Sequence, residues 1–161
     1  MQELYEGIDL TAAQAEWIVR GLLDLAAVDG THESEHELIA DFHAGEGGGE
    51  SLEALAAKGF NASEAAAVFQ SGGAKVVEAF LVSCYLLIYA DGAHSDEERA
   101  RIAEYAVALG LDHGQLEELH VKARLYVLQS LAHILWNRDT VKQIGSSMGL
   151  SDEHINAALE K

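Results

Sequence analysis

The chain has 161 residues, 27 acidic against 10 basic, and a formal charge of −17. That balance excludes the cationic face that nucleic acid requires and disfavours an anionic membrane surface, so a cation or a basic protein is the natural complement. A hydrophobic content of 49% argues against disorder, and the absence of proline in a chain rich in Ala, Leu and Glu points to helices.

Met1–Leu10 carries three acids and no basic stretch, so it is not expected to be a secretory signal. Thr11 and Gln14 form a capping box that opens the first helix, which is expected to run to about Val28, where Asp29-Gly30 stops it. Ser34 and Glu37 suggest a second box and a helix to about Ala44. Four glycines within Gly45–Gly49 predict a loop, and with no Gly-Lys-Ser/Thr after it a phosphate loop is rejected. Ser51–Lys58 and Ser63–Gln70 read as short helices divided by Gly59-Phe60-Asn61. Lys75–Ala90 reads as a strongly apolar helix ending at Asp91-Gly92. Its apolar run, Ala79–Ala90, is twelve residues long, too short to span a bilayer. Cys84, the sole cysteine, falls inside it and reads as core; an intramolecular disulfide is impossible, in keeping with a reducing, cytoplasmic compartment.

Ser95 and Glu98 form a third box, opening a helix to about Leu109. Asp112 is expected to cap the longest helix, reaching about Trp136, with Leu116, Leu119, Ala123, Val127, Ser130 and Ile134 at helical spacing. Asp139 or Thr140 opens a short helix to about Met148, and Ser151–Glu160 is the last. Alternation of strand type is absent. The expectation is a single all-α domain over residues 1–161, a bundle of about seven to nine helices.

The informative feature is a duplication. Leu25-Ala-Ala-Val-Asp-Gly-Thr-His32 and Leu87-Ile-Tyr-Ala-Asp-Gly-Ala-His94 each join the end of an apolar helix to a capped shorter one, 62 residues apart (29 to 91). Repeat 1 spans about residues 11–44, repeat 2 about 74–109, and further helices fill about 112–160. Two units are too few for a solenoid and suggest paired helical hairpins. Ile18, Leu22, Leu25 and Asp29 fall at i, i+4, i+7 and i+11; Phe80, Cys84, Leu87 and Asp91 repeat that spacing. Each aspartate is therefore expected at the interior or its rim. A carboxylate there loses hydration, and the negative end of the helix dipole disfavours it by roughly 0.3–1 kcal/mol. A cation or several hydrogen-bond donors must compensate.

Candidate ligands cluster around both aspartates. His32 and His94 lie three residues after Asp29 and Asp91, and His36 and Glu98 lie seven after. Whether His36 or Glu37 matches Glu98 stays open, because the second capping box starts one residue earlier relative to its aspartate. The expected metal set is Asp29, His32, His36, Asp91, His94 and Glu98. Imidazole beside carboxylate favours zinc, with manganese or iron also suited; carboxylates alone suit calcium or magnesium. Two alternatives stand beside this. An acidic module could dock a basic or membrane-associated protein, with metal incidental. His32-Glu33-Ser34-Glu35-His36 also matches H-E-x-x-H, the zinc-hydrolase pattern in which two histidines share a helix face and Glu33 serves as base. Gly30 just before it and Ser34 within it argue against a helix already running there.

Val28-Asp-Gly-Thr-His-Glu-Ser-Glu-His-Glu-Leu-Ile39 and Ala90-Asp-Gly-Ala-His-Ser-Asp-Glu-Glu-Arg-Ala-Arg-Ile102 resemble the TerB family of tellurite-resistance proteins. The matching signature is Ala-Asp-Gly with Glu seven residues after the Asp, met by Ala90, Asp91, Gly92 and Glu98. The first copy departs from it, with Val28 and His36 at the corresponding places. The resemblance covers about Trp17–Leu111. It implies an all-α fold of seven or more helices in two repeats, an acidic cluster for a divalent metal, and a bacterial cytoplasmic setting in tellurite and stress resistance. It implies no enzymatic reaction.

Overall fold

Side-chain chemistry at the N-caps sets where most helices begin. The computed structural model describes residues 1–30, 32–46, 49–90, 95–134 and 137–160, with the backbone alone at 133 and 134. The described residues are all-helical, with no strand. They form α1 (Ala12–Ala26), α2 (Glu33–Gly45), α3 (Leu52–Lys58), α4 (Ala62–Phe69), α5 (Ala74–Tyr89), α6 (Asp96–Ala108), α7 (His113–Ile134), α8 (Arg138–Ser147) and α9 (Asp152–Leu159). Short 3-10 turns cover Gln2–Tyr5 and Gln70–Gly72.

The boxes at α1 and α6 form as expected. Thr11 Oγ1 accepts from the Gln14 N–H at 3.1 Å while the Thr11 N–H donates to Gln14 Oε1 at 2.9 Å. Asp112 and Gln115 exchange the same pair of bonds at the start of α7, at 2.8 and 2.9 Å. Besides the start of α2, taken up below, two starts differ from the sequence reading. Asn61, not Ser63, caps α4, and Asn137, not Asp139 or Thr140, caps α8 through its Oδ1. Both asparagines precede a second good capping residue, and starting at the earlier one adds two or three residues of backbone hydrogen bonds to the helix.

The chain divides into two compact units, Met1–Leu116 and Glu117–Lys161, and both repeats lie in the first. Within it α5 is the central helix, packed by α1, α2, α4, α6 and both 3-10 turns. Its residues from Ala79 to Ile88 are all buried, which explains why it is apolar all round rather than on one stripe. Gly21 lets α1 approach α5 closely: a Cβ there would lie 2.6 Å from Phe80 Cζ. Phe60, Phe69, Phe80 and Tyr105 stack edge-on and tilted around this contact. The repeats also cross-pack, α1 on α6 and α2 on α5. Asp24 of α1 ties this crossing, accepting from Arg101 Nη1 at 2.8 Å and from the Tyr105 hydroxyl. The N-terminal turn closes the other side, where buried Tyr5 stacks on Phe42 and shares a 2.8 Å hydrogen bond with Ser83.

The second unit has its own core of Leu128, Val141, Leu150, Ile155 and Ala158, with α8 packed on α9. Buried Arg124 donates to the Met148 carbonyl at 2.8 Å and pairs with Glu117 at 3.1 Å. The stripe expected on α7 holds for Leu116, Leu119 and Ala123; beyond them Leu128, not Val127, is fully buried and Ser130 is exposed. Among the described residues no helix is long and apolar enough to cross a membrane.

Candidate functional site

The two buried stripes behave as expected as far as the helices run. Ile18, Leu22 and Leu25 on α1, and Phe80, Cys84 and Leu87 on α5, are completely inaccessible to solvent. Asp29 does not continue the first of them. α1 ends at Ala26, Ala27 is its C-cap, and Asp29 lies beyond it, exposed, before Gly30 at φ +90°. The helical period that would have turned Asp29 inward stops three residues short. Asp91 and His94 lie outside the described residues.

What the repeats bury instead is a glutamate at the third position of the following helix. In repeat 2, Glu98 is 1% exposed; its Oε1 accepts from the Ser95 N–H at 2.9 Å and from the Ser95 hydroxyl at 3.2 Å. In repeat 1 the equivalent residue is Glu35, also 1% exposed, whose Oε2 accepts from the His32 N–H at 3.1 Å. Helix α2 thus starts from His32, not from the expected Ser34, and the expected Ser34–Glu37 box does not form. The choice left open between His36 and Glu37 resolves to neither: the counterpart of Glu98 is Glu35, six residues after its aspartate. Histidine is a poor N-cap by preference, so the His32-x-x-Glu35 spacing was masked by the better-looking Ser34.

Glu98 is where the repeats meet electrostatically. Among the described residues its buried Oε2 has no hydrogen-bond partner of good geometry. Its pKa is raised, first by burial and then, against the opposing Ser95 backbone hydrogen bond, by the nearby negative charge of Asp29. A carboxylate of repeat 1 therefore stands beside a buried carboxylate of repeat 2, the arrangement that a cation relieves. Two oxygen-donor groups, one with an unused buried oxygen, fit part of the coordination shell of a divalent metal.

The remaining candidates are less gathered. His32 occupies the N-cap with extended backbone, φ −86° and ψ 153°, and is exposed, as is His36 one turn into α2. Since His32 precedes the helix, the two histidines do not share a helix face, and the H-E-x-x-H geometry of a zinc hydrolase is missing at its first residue. Exposed Glu33 opens α2, where its charge suits the helix dipole. Among the described residues no group of three or more His, Cys, Asp or Glu side chains is placed to hold one metal ion. Of the expected set, the structure brings together Asp29 and Glu98.

Comparison of the chain with family models, with curated proteins and with solved structures finds no match.

Proposed function

We propose that this protein is a non-enzymatic, divalent-metal-binding accessory protein of TerB-like type, acting in tellurite or general stress resistance in a bacterial cytoplasm. The observation that carries the reading is the Glu98 carboxyl group: 1% exposed, one oxygen without a well-formed hydrogen bond among the described residues, and beside the charge of Asp29. A buried carboxylate beside a second negative charge is unfavourable unless a proton or a cation neutralises it. Asp29 and Glu98 would hold the ion from opposite repeats, with Asp91, His94, His32 and His36 as the further donors that the sequence offers. Oxygen donors alone select magnesium, manganese or calcium; recruitment of a histidine selects zinc. When bound, the ion supplies charge neutralisation and cross-links the two hairpins. The excess of acid over base suits a basic protein partner for the surrounding surface.

The test is thermal melting in chelator and then in each of zinc, manganese, magnesium and calcium. An ion held at one hundred times its Kd stabilises the fold by about 2.7 kcal/mol, which in a chain of this size raises Tm by about 5–10 °C. A Tm indifferent to all four ions would remove the support for this reading.

A further inference from the structure

Two acidic side chains of repeat 1 meet α6. Asp29 stands beside Glu98, and Asp24, on α1, accepts from Arg101 Nη1 at 2.8 Å. The Tyr105 hydroxyl donates to the same Asp24 oxygen, Oδ2, and holds it in place. Arg101 and Tyr105 follow Glu98 by three and seven residues, so all three lie along one face of α6. The guanidinium of that face is therefore taken by Asp24, one helical turn from a buried carboxyl group whose Oε2 has no well-formed hydrogen bond among the described residues. Its other contact is Glu104, a mostly exposed carboxylate 3.6 Å from Nε. The remaining basic side chains of α1 and α6 are engaged elsewhere: Arg20 donates to the Gly59 carbonyl at 2.7 Å, and Arg99 pairs with Asp96.

We propose that Asp24 is a positioning residue that holds Arg101 away from Glu98 and so keeps the carboxylate pair open to a metal ion. The inference rests on the metal-binding reading above. Side chains three apart on a helix have Cβ atoms about 5–6 Å from each other, within reach of an arginine. A guanidinium stays charged when buried and offers a carboxylate a planar pair of donors. Released from Asp24, Arg101 becomes an internal counter-ion for Glu98 and Asp29, since the exposed Glu104 offers it only a weak surface pair. A guanidinium seated there neutralises the charge that attracts an ion, so the two exclude each other.

The test titrates zinc, manganese, magnesium and calcium into each variant by calorimetry, with denaturant unfolding in chelator as the metal-free readout. Asp24→Asn, which frees Arg101, should lower ion affinity by about tenfold, while Arg101→Gln and the double variant Asp24→Asn/Arg101→Gln stay within about twofold of wild type. A tie that only fastens α1 to α6 predicts another pattern, in which loss of either partner weakens binding alike and the double variant is no better; that result would overturn the proposal. In chelator, the effects of Arg101→Gln and Glu98→Gln on the unfolding midpoint should add when Asp24 is present and fail to add in the Asp24→Asn background. Additivity in both backgrounds would also overturn it. If no ion binds the wild type but the coupling still appears in the Asp24→Asn background alone, the metal-binding reading fails while the hold of Asp24 on Arg101 is upheld.

Discussion

At Glu98 two requirements meet in one side chain. The helix needs its Oε1 as the acceptor that closes the Ser95 box, while the buried Oε2 has no well-formed hydrogen bond among the described residues. Because the folded pKa is raised, the native state holds this proton more tightly than the unfolded chain does. The sign follows: stability is highest below the ordinary carboxyl range and falls as pH rises through the raised value. Glutamine serves a capping box as well as glutamate does but carries no charge. Glu98→Gln should therefore raise Tm near neutral pH in chelator by about 2–4 °C, and flatten the pH dependence of melting. If melting of the variant falls and still depends on pH like the wild type, burial of the charge is not what limits stability here. Gly21 makes a simpler demand. A Cβ at 2.6 Å from the Phe80 ring forces α1 and α5 apart, so Gly21→Ala should cost about 1–3 kcal/mol by denaturant unfolding despite its better helix propensity.

At the scale of elements, caps and periods carried the legible part of the fold. The Thr11–Gln14 and Ser95–Glu98 boxes and the Asp112 cap were readable because each helix start carries a preferred capping residue. Thr11→Ala should accordingly cost about 1 kcal/mol, measured as a lower denaturant midpoint at unchanged m-value. The strongly apolar run of α5 likewise announced a buried helix. The candidate site was less legible, for two physical reasons. Helical periodicity says where a side chain points only while the helix lasts, and α1 ends before Asp29. Capping preference identifies helix starts only when the residue is a usual cap, and His32 is not. The duplication placed Asp29 and Glu98 among the candidates, but only tertiary packing of α1 on α6 makes them neighbours.

At the scale of the whole molecule, the two units have separate cores, and the proposed metal centre belongs to the first. Leu128→Ala empties the centre of the second core and should cost that unit about 2–5 kcal/mol. Hydrogen exchange should then accelerate in α8 and α9 while the amides of α1 and α5 keep their protection; a uniform loss would mean that the units unfold as one. The central claim concerns the carboxylate pair that joins the repeats. Calorimetric titration of divalent ions into the wild type, Asp29→Asn and Glu98→Gln tests it most directly. The account predicts about one ion per chain and a loss of about tenfold or more in affinity for each variant, with helical content unchanged. Wild-type affinity and stoichiometry in both variants would contradict it.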